Sequence, residues 1–164
     1  NTVIEIDPSA WTAKTIGLVE RHGSQEFSTA LAVATGTNHL YVQIRSTSEL
    51  AYIDVTTGEV TWLNTSTEIG YWDGAFAEAR FLRGEQMCSD DEGNIYIVDQ
   101  DNHAIRMVND IGVSTVIGGN GSGAVNGIGK DAKLCAPSGL CMDANGVMYI
   151  GDTWNACIRK AVFE

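Results

Sequence analysis

Residues 73–108 read DGAFAEARFLRGEQMCSDDEGNIYIVDQDNHAIRMV. Shifted by 53 positions, this stretch lies without a gap on residues 126–161, NGIGKDAKLCAPSGLCMDANGVMYIGDTWNACIRKA. Of the 36 pairs, 11 are identical: Gly74/Gly127, Ala79/Ala132, Cys88/Cys141, Asp90/Asp143, Gly93/Gly146, Tyr96/Tyr149, Ile97/Ile150, Asp99/Asp152, Asn102/Asn155, Ile105/Ile158 and Arg106/Arg159. A weaker third copy aligns Tyr41 with Tyr96, Leu50 with Ile105 and Ile53 with Val108, and has lost the Asp and Arg positions. An internal repeat of this period constrains the architecture before any single residue does.

Each copy reads as short strands. Residues 86–89 form a first strand, and the turn 90–93 leads to Asn94-Ile95-Tyr96-Ile97-Val98, rich in β-formers. Polar residues 99–103 turn the chain into 104–108, and a second turn leads to 113–117. Four hairpin-linked strands in a unit of about 40–55 residues are the signature of a β-propeller blade. A sandwich needs no ungapped repeat, and solenoid units are usually shorter or helical. The fold expected is all-β, a partial propeller of about three to four blades. Residues 1–20 would end one blade, with strands at 3–7 and 15–19. Residues 25–64 and 73–118 would be whole blades, and 126–164 a last blade lacking its fourth strand. Open arcs expose sheet edges. Upstream blades, or a second copy of the chain, are therefore expected to complete the ring.

The chain has 164 residues, with 10 Lys+Arg against 21 Asp+Glu and a formal charge of −11. That balance argues against nucleic acid, because phosphate binding relies on clustered basic residues. No apolar run is long enough for a transmembrane helix. The first residues, NTVIEIDPSA, lack a signal-peptide pattern, and an Asn start is expected to reflect a cut or processed end. Cysteines 88, 135, 141 and 157 form no CxxC and lack histidines at ligand spacing, so no metal site is expected. They are expected to be reduced core thiols, with Cys135–Cys157 the one pairing left open.

The strings DGAFAEARF and GNIYIVDQDNHAIRMV, with their second copies, resemble the NHL-repeat family of β-propellers. Both copies keep the Tyr, Asp, Asn and Ile-Arg positions of that pattern. Its Pro-Gly step survives only as Pro137-Ser138-Gly139, and Gly84-Glu85-Gln86 stands there in the middle copy. The variant is most similar to the NHL domains that follow an immunoglobulin-like domain in bacterial cell-surface proteins. The resemblance implies a six-bladed ring and an extracytoplasmic, secreted or cell-surface location. It also implies two kinds of role. One is a non-enzymatic recognition or scaffold propeller that binds a protein or glycan. The other is a lyase or hydrolase with a metal-assisted site in the central channel.

Asp99, Asn102, Arg106 and their copies Asp152, Asn155, Arg159 recur in both good repeats. Bracing is made in every blade, whereas a catalytic site is usually made once, so these are expected to form turn caps and inter-blade ion pairs. No catalytic residue and no cofactor is assigned. The run Gly118-Gly119-Asn120-Gly121-Ser122-Gly123 lacks the GK[ST] of a phosphate loop and reads as a flexible connection between blades. Asn64-Thr65-Ser66 and Asn120-Gly121-Ser122 fit a glycosylation sequon. The candidate ligand-binding residues are Tyr71, Trp72, Asp73, Asp101, His103 and Trp154, expected to share one rim.

Overall fold

The computed structural model describes residues 2–10, 12–18, 28–33, 36–45, 47–64 and 68–163. Thirteen strands form four antiparallel sheets in chain order. The first holds β1 (Thr2–Asp7) and β2 (Thr12–Leu18). The second holds β3 (Ser28–Val33), β4 (His39–Ile44), β5 (Glu49–Asp54) and β6 (Val60–Trp62). The third holds β7 (Gly84–Ser89), β8 (Ile95–Asp99), β9 (Ala104–Asn109) and β10 (Gly112–Gly118). The fourth holds β11 (Gly139–Met142), β12 (Val147–Asp152) and β13 (Cys157–Val162). Every strand pairs with its neighbour in sequence, so each sheet is a simple meander.

The sheets stack face to face. Ile95 and Ile97 of β8 join Leu50 of the second sheet in one cluster, with Phe81, Met87 and Val108. Tyr96 and Val98, on the other side of β8, join Leu140, Met148 and Ile150 of the fourth sheet. β8 is buried along its whole length because both of its faces are covered. That explains its unbroken apolar sequence, where a half-exposed strand would alternate. A third cluster, Leu40, Val42, Ile44 and Ile53, takes Ile16 from the first sheet.

The repeat extends to backbone conformation. Ser48, His103 and Ala156 occupy equivalent places after the second strand of their sheets, with φ of 56°, 54° and 52°. Arg83 and Ala136 are a second such pair, at φ of 62° and 41°. Left-handed backbone costs a non-glycine residue roughly 1–2 kcal/mol, so surrounding contacts must hold it there.

Gly84 explains why the middle repeat departs from the Pro-Gly pattern. A Cβ at position 84 would overlap the side-chain amide of Gln43. Gln43 is fully buried and projects across from β4, filling the space beside the start of β7. In the next repeat Pro137 stands at the place of Gly84, and Val98 at the place of Gln43.

The fourth sheet differs from the third in what covers it. Ile105 of β9 is 0% exposed, and its counterpart Ile158 of β13 is 72% exposed. Ile105 packs in one cluster with Ile117 of β10 and with Leu140, Met148 and Ile150 of the fourth sheet, and β10 pairs with β9. β13 pairs with β12, and among the described residues nothing pairs with its other edge. A groove of about 770 Å3 runs along that edge, lined by Ile128, Gly129, Ile158, Arg159, Val162 and Phe163.

The four cysteines are free. Cys88 and Cys135 are half-buried, but Cys141 and Cys157 are exposed, which corrects the expectation of four core thiols. The reason is the uncovered face of the fourth sheet: Cys141 is the copy of Cys88, without a neighbouring sheet over it.

Candidate functional site

The repeated polar residues build one network twice. Asp99, at the end of β8, accepts the Leu82 N–H on Oδ1 at 2.8 Å. Its Oδ2 accepts Asn102 Nδ2 at 2.9 Å and Arg106 Nη1 at 2.6 Å. Asn102 also donates to the Gly70 carbonyl at 2.7 Å. Arg106 Nη1 donates to the Arg80 carbonyl, and Nη2 to the Trp72 carbonyl and to Asp73 Oδ1. Each bond recurs 53 residues on. Cys135 N–H and Asn155 serve Asp152, and Asn155 reaches the Gly123 carbonyl. Arg159 joins Asp152, the carbonyls of Lys133 and Val125, and Asn126 Oδ1.

The arrangement refines the expected inter-blade ion pair. Arg106 pairs with the Asp of its own sheet, and its remaining donors staple the connector, residues 70–83, onto that sheet. Burial pushes the Asp99 carboxyl up, while Arg106, Asn102 and the Leu82 N–H pull against it. In the second sheet Ile44, Thr47 and Ala51 stand at the network positions. Ile44 and Ala51 are buried there, so apolar packing replaces the ion pair, a substitution that costs little when both partners change together.

Asp73 gathers three cationic or hydroxyl partners. Thr115 Oγ1 donates to it at 2.8 Å, Lys130 Nζ at 2.9 Å and Arg106 Nη2 at 2.9 Å. Burial pushes its carboxyl up, but Lys130, Thr115 and Arg106 outweigh this and hold it below the ordinary value. Lys130 is raised in return by its bond to Asp73. Asp73 is thus a joint between the third sheet and the connector to the fourth. Lys130 and Thr115 did not stand out in the sequence. The signal was there: Lys130 faces Ala77 in the other repeat, a cation with no copy.

The six candidate ligand residues divide. Asp101, His103 and Trp154 lie in the short helical turns Gln100–Asn102 and Thr153–Asn155 or just after, at the end of the sheets where Gly70 meets Asn102. Asp101 is exposed and Trp154 is 78% exposed. His103 instead accepts the Ala136 N–H on Nδ1 at 3.1 Å, hooking the third sheet to the fourth. Tyr71 leaves that rim, with the Arg106 guanidinium 5.1 Å from its ring centre. Trp72 is paired with Arg80 and is 62% exposed. By Gly74 the chain has reached Val113, at the opposite end of β10. The stretch 71–73 therefore runs down between the two ends rather than along the rim.

Beside Trp72 lies a shallow hollow of about 400 Å3, lined by Glu68, Tyr71, Trp72, Ala77, Glu78 and Arg80. A Cβ placed on Gly74, whose φ is +140°, would lie 3.0 Å from Glu78 Oε2 and 3.9 Å from Trp72 Cδ1. The indole Cδ1 and the Glu78 carboxylate thus approach Gly74 together, leaving little room there for a side chain.

Other sequence features resolve structurally. Asn64 is 3% exposed, accepting the Leu50 N–H and donating to the Ser48 carbonyl, so this sequon side chain is spent inside the fold. In the glycine run, the Gly119 and Gly123 N–H groups bind the carbonyls of His103 and Leu134. The run is thus hydrogen-bonded at both ends, with residues 120–122 exposed between them. Asp90 is engaged by Asn94, Tyr96 and the Glu92 N–H, and these hold it low against the upward push of burial. His39 stacks on Tyr52 at 4.0 Å, and His22 lies outside the described residues. No group of three or more His, Cys, Asp or Glu among the described residues is placed to hold a metal ion. No helix among them is long and apolar enough to cross a membrane.

Antiparallel meanders of up to four strands stacked face to face, two of them braced to their connectors, have the form of β-propeller blades. An auxiliary nutrient binding protein from Bacteroides thetaiotaomicron superposes with a TM-score of 0.75 at 22% identity, over 97% of this chain and 42% of that one. Virginiamycin B lyase from Staphylococcus aureus superposes with a TM-score of 0.59 at 9% identity, over 100% of this chain and 49% of that one. In sequence, the chain is 33% identical over 89 residues to Protein SUPPRESSOR OF QUENCHING 1, chloroplastic, of Arabidopsis thaliana, a match spanning 53% of this chain and 8% of the plant protein. The chain therefore spans less than half the length of each of these proteins. No family model matches.

Proposed function

We propose that this chain is part of an NHL-type recognition propeller without catalytic activity, exposed outside the cytoplasm, which binds a protein or glycan. The observation that carries this reading is how the polar side chains divide. The repeated ones are consumed in bracing, and the single-copy exposed residues Trp72, Trp154 and Asp101 are left to meet a partner. Exposed Trp on a rigid frame is the usual anchor of a recognition surface. The nutrient-binding propeller among the structural neighbours is in keeping with such a role.

The free edge of β13 supports completion of the ring by further blades. The counterparts of Ile158 and Arg159, namely Ile105 and Arg106, are buried, with Ile105 packed against both β10 and the next sheet, and the groove along β13 has the place of such neighbours. Upstream chain fits that role, and a second copy of the chain is the alternative occupant.

Three measurements test the proposal. Binding to glycan and peptide arrays should fall when Trp72 or Trp154 is changed to Ala. Stoichiometric metal in the purified protein, with array binding indifferent to both tryptophans, would instead favour a metal-assisted lyase or hydrolase. Light scattering tests the ring: a monodisperse monomer of these 164 residues would count against completion by partner strands.

A further inference from the structure

We infer that the gap between Trp72 and Glu78 is a docking site for a basic side chain, Lys or Arg, presented by a protein partner. This rests on the recognition reading and names its partner chemistry.

The gap is built by backbone. Trp72 is paired with Arg80, and Gly74 with Val113, so both ends of the segment are pinned. The turn between them is closed by Glu78 and Ala79 N–H bonds to the Ala75 carbonyl. Arg80 Nη1 donates to the carbonyls of Ala77, Glu78 and Ala79, and its Nε faces Glu68 at 3.5 Å. Its charge is therefore spent within the wall of the hollow. Glu78 is exposed, and no ion pair claims it among the described residues.

A free carboxylate beside an exposed indole is the donor set for a cation. The ammonium or guanidinium pairs with the carboxylate, and its charge lies against the negative face of the ring. The chain's charge of −11 steers cations towards it. The same charge disfavours nucleic acid.

The gap is also made once. In the next repeat Val125 replaces Trp72, and Ala124 replaces Tyr71. At the counterpart Gly127 the nearest groups to an added Cβ are backbone atoms of Asp131 and Ala132, at 2.8 Å, rather than a carboxylate and an indole. Bracing recurs in each blade, whereas this opening does not.

The test uses 15N-labelled protein and three probes: a capped tetralysine peptide, a capped tetraglutamate peptide and a neutral malto-oligosaccharide. The tetralysine peptide should move the Trp72 indole N–H resonance saturably, with weakening as ionic strength rises. Glu78→Gln should weaken binding roughly two- to fivefold. Trp72→Ala should abolish the accompanying shift at Gly74, and Trp154→Ala should leave it unchanged. Glu78 is exposed, so Glu78→Gln should keep the wild-type melting temperature. A tetralysine response indifferent to Glu78→Gln, or a Trp72 response to the oligosaccharide or tetraglutamate instead, overturns the inference. An oligosaccharide response confined to Trp154 also overturns it, while sparing the wider recognition reading.

Discussion

Arg106 and Asp99 form a fully enclosed ion pair: Nη1 and Oδ2 are 2.6 Å apart, and both side chains are 0% exposed. The copy, Arg159 with Asp152, is longer at 3.0 Å, and its arginine is 16% exposed. The same two residues, 53 positions apart, thus sit in different dielectric surroundings: the Tyr71 and Phe81 ring centres lie within 5.1 Å of the Arg106 guanidinium and β10 pairs with its strand, whereas no described strand pairs with the outer edge of β13.

Removing one partner of a buried pair strands the other charge. Arg106→Met should destabilise the protein by about 3–5 kcal/mol, since Asp99 is left charged, enclosed and deprived of its main donor. Arg159→Met should cost less, because water reaches that site. Chemical denaturation of both variants checks the order. Equal losses would mean that the enclosure of Arg106 contributes nothing to the pair.

Asp73 links stability to pH. Its carboxyl is held below the ordinary value of 3.8, so its charged form is favoured by folding. The associated stability is present in full above the unfolded value. It disappears as pH falls below 3.8 through the lower folded value. The melting-temperature gap between wild type and Asp73→Asn should therefore be constant near neutrality and should close in acid. A gap that widens in acid contradicts the assignment.

Gln43 and Gly84 should behave as a coupled pair. Both amide atoms of Gln43 lack hydrogen-bond partners among the described residues, although the side chain is fully buried. Gly84→Ala alone should destabilise by about 1–3 kcal/mol through overpacking. Gln43→Val with Gly84→Ala moves both positions towards the residues at the matching places of the next repeat, Val98 and Pro137. That double variant should be at least as stable as wild type, since it also removes an unsatisfied amide. A double-mutant cycle in urea reads the coupling, and strict additivity would refute the steric account.

The thiols should differ in reactivity. Burial, with lesser contributions from Cys141 and Asp90, pushes Cys88 up to about 12, so little thiolate exists at neutral pH. Iodoacetamide followed by peptide mass mapping should label Cys141 and Cys157 first, and Cys88 only on unfolding. In a longer chain with a blade over the fourth sheet, Cys141 should become protected as Cys88 is.

Much of the architecture was legible because a repeat is a one-dimensional signal. The eleven identities between residues 73–108 and 126–161 imply two copies of one unit, and turn residues such as Asp90-Asp91-Glu92-Gly93 mark where its strands end. The bracing roles of Asp99, Asn102 and Arg106 were legible in kind from their recurrence. Their partners were not, because Gly70, Trp72 and Arg80 contribute carbonyl oxygens, which every residue has and no motif records.

The candidate site was less legible. Tyr71, Trp72 and Asp73 are adjacent in sequence, yet one stacks on Arg106, one faces solvent and one binds Lys130. Adjacent side chains on an extended segment point to opposite sides, and what each side meets depends on the neighbouring sheet. The sequence by itself determined the repeat, the strand periodicity and the acidic charge, all properties of residue order and composition. Only the tertiary structure decided which copy of a repeated residue is buried. Ile105 and Ile158 are the same residue in the same local motif, and coverage by a neighbouring sheet is a long-range contact that local sequence does not encode.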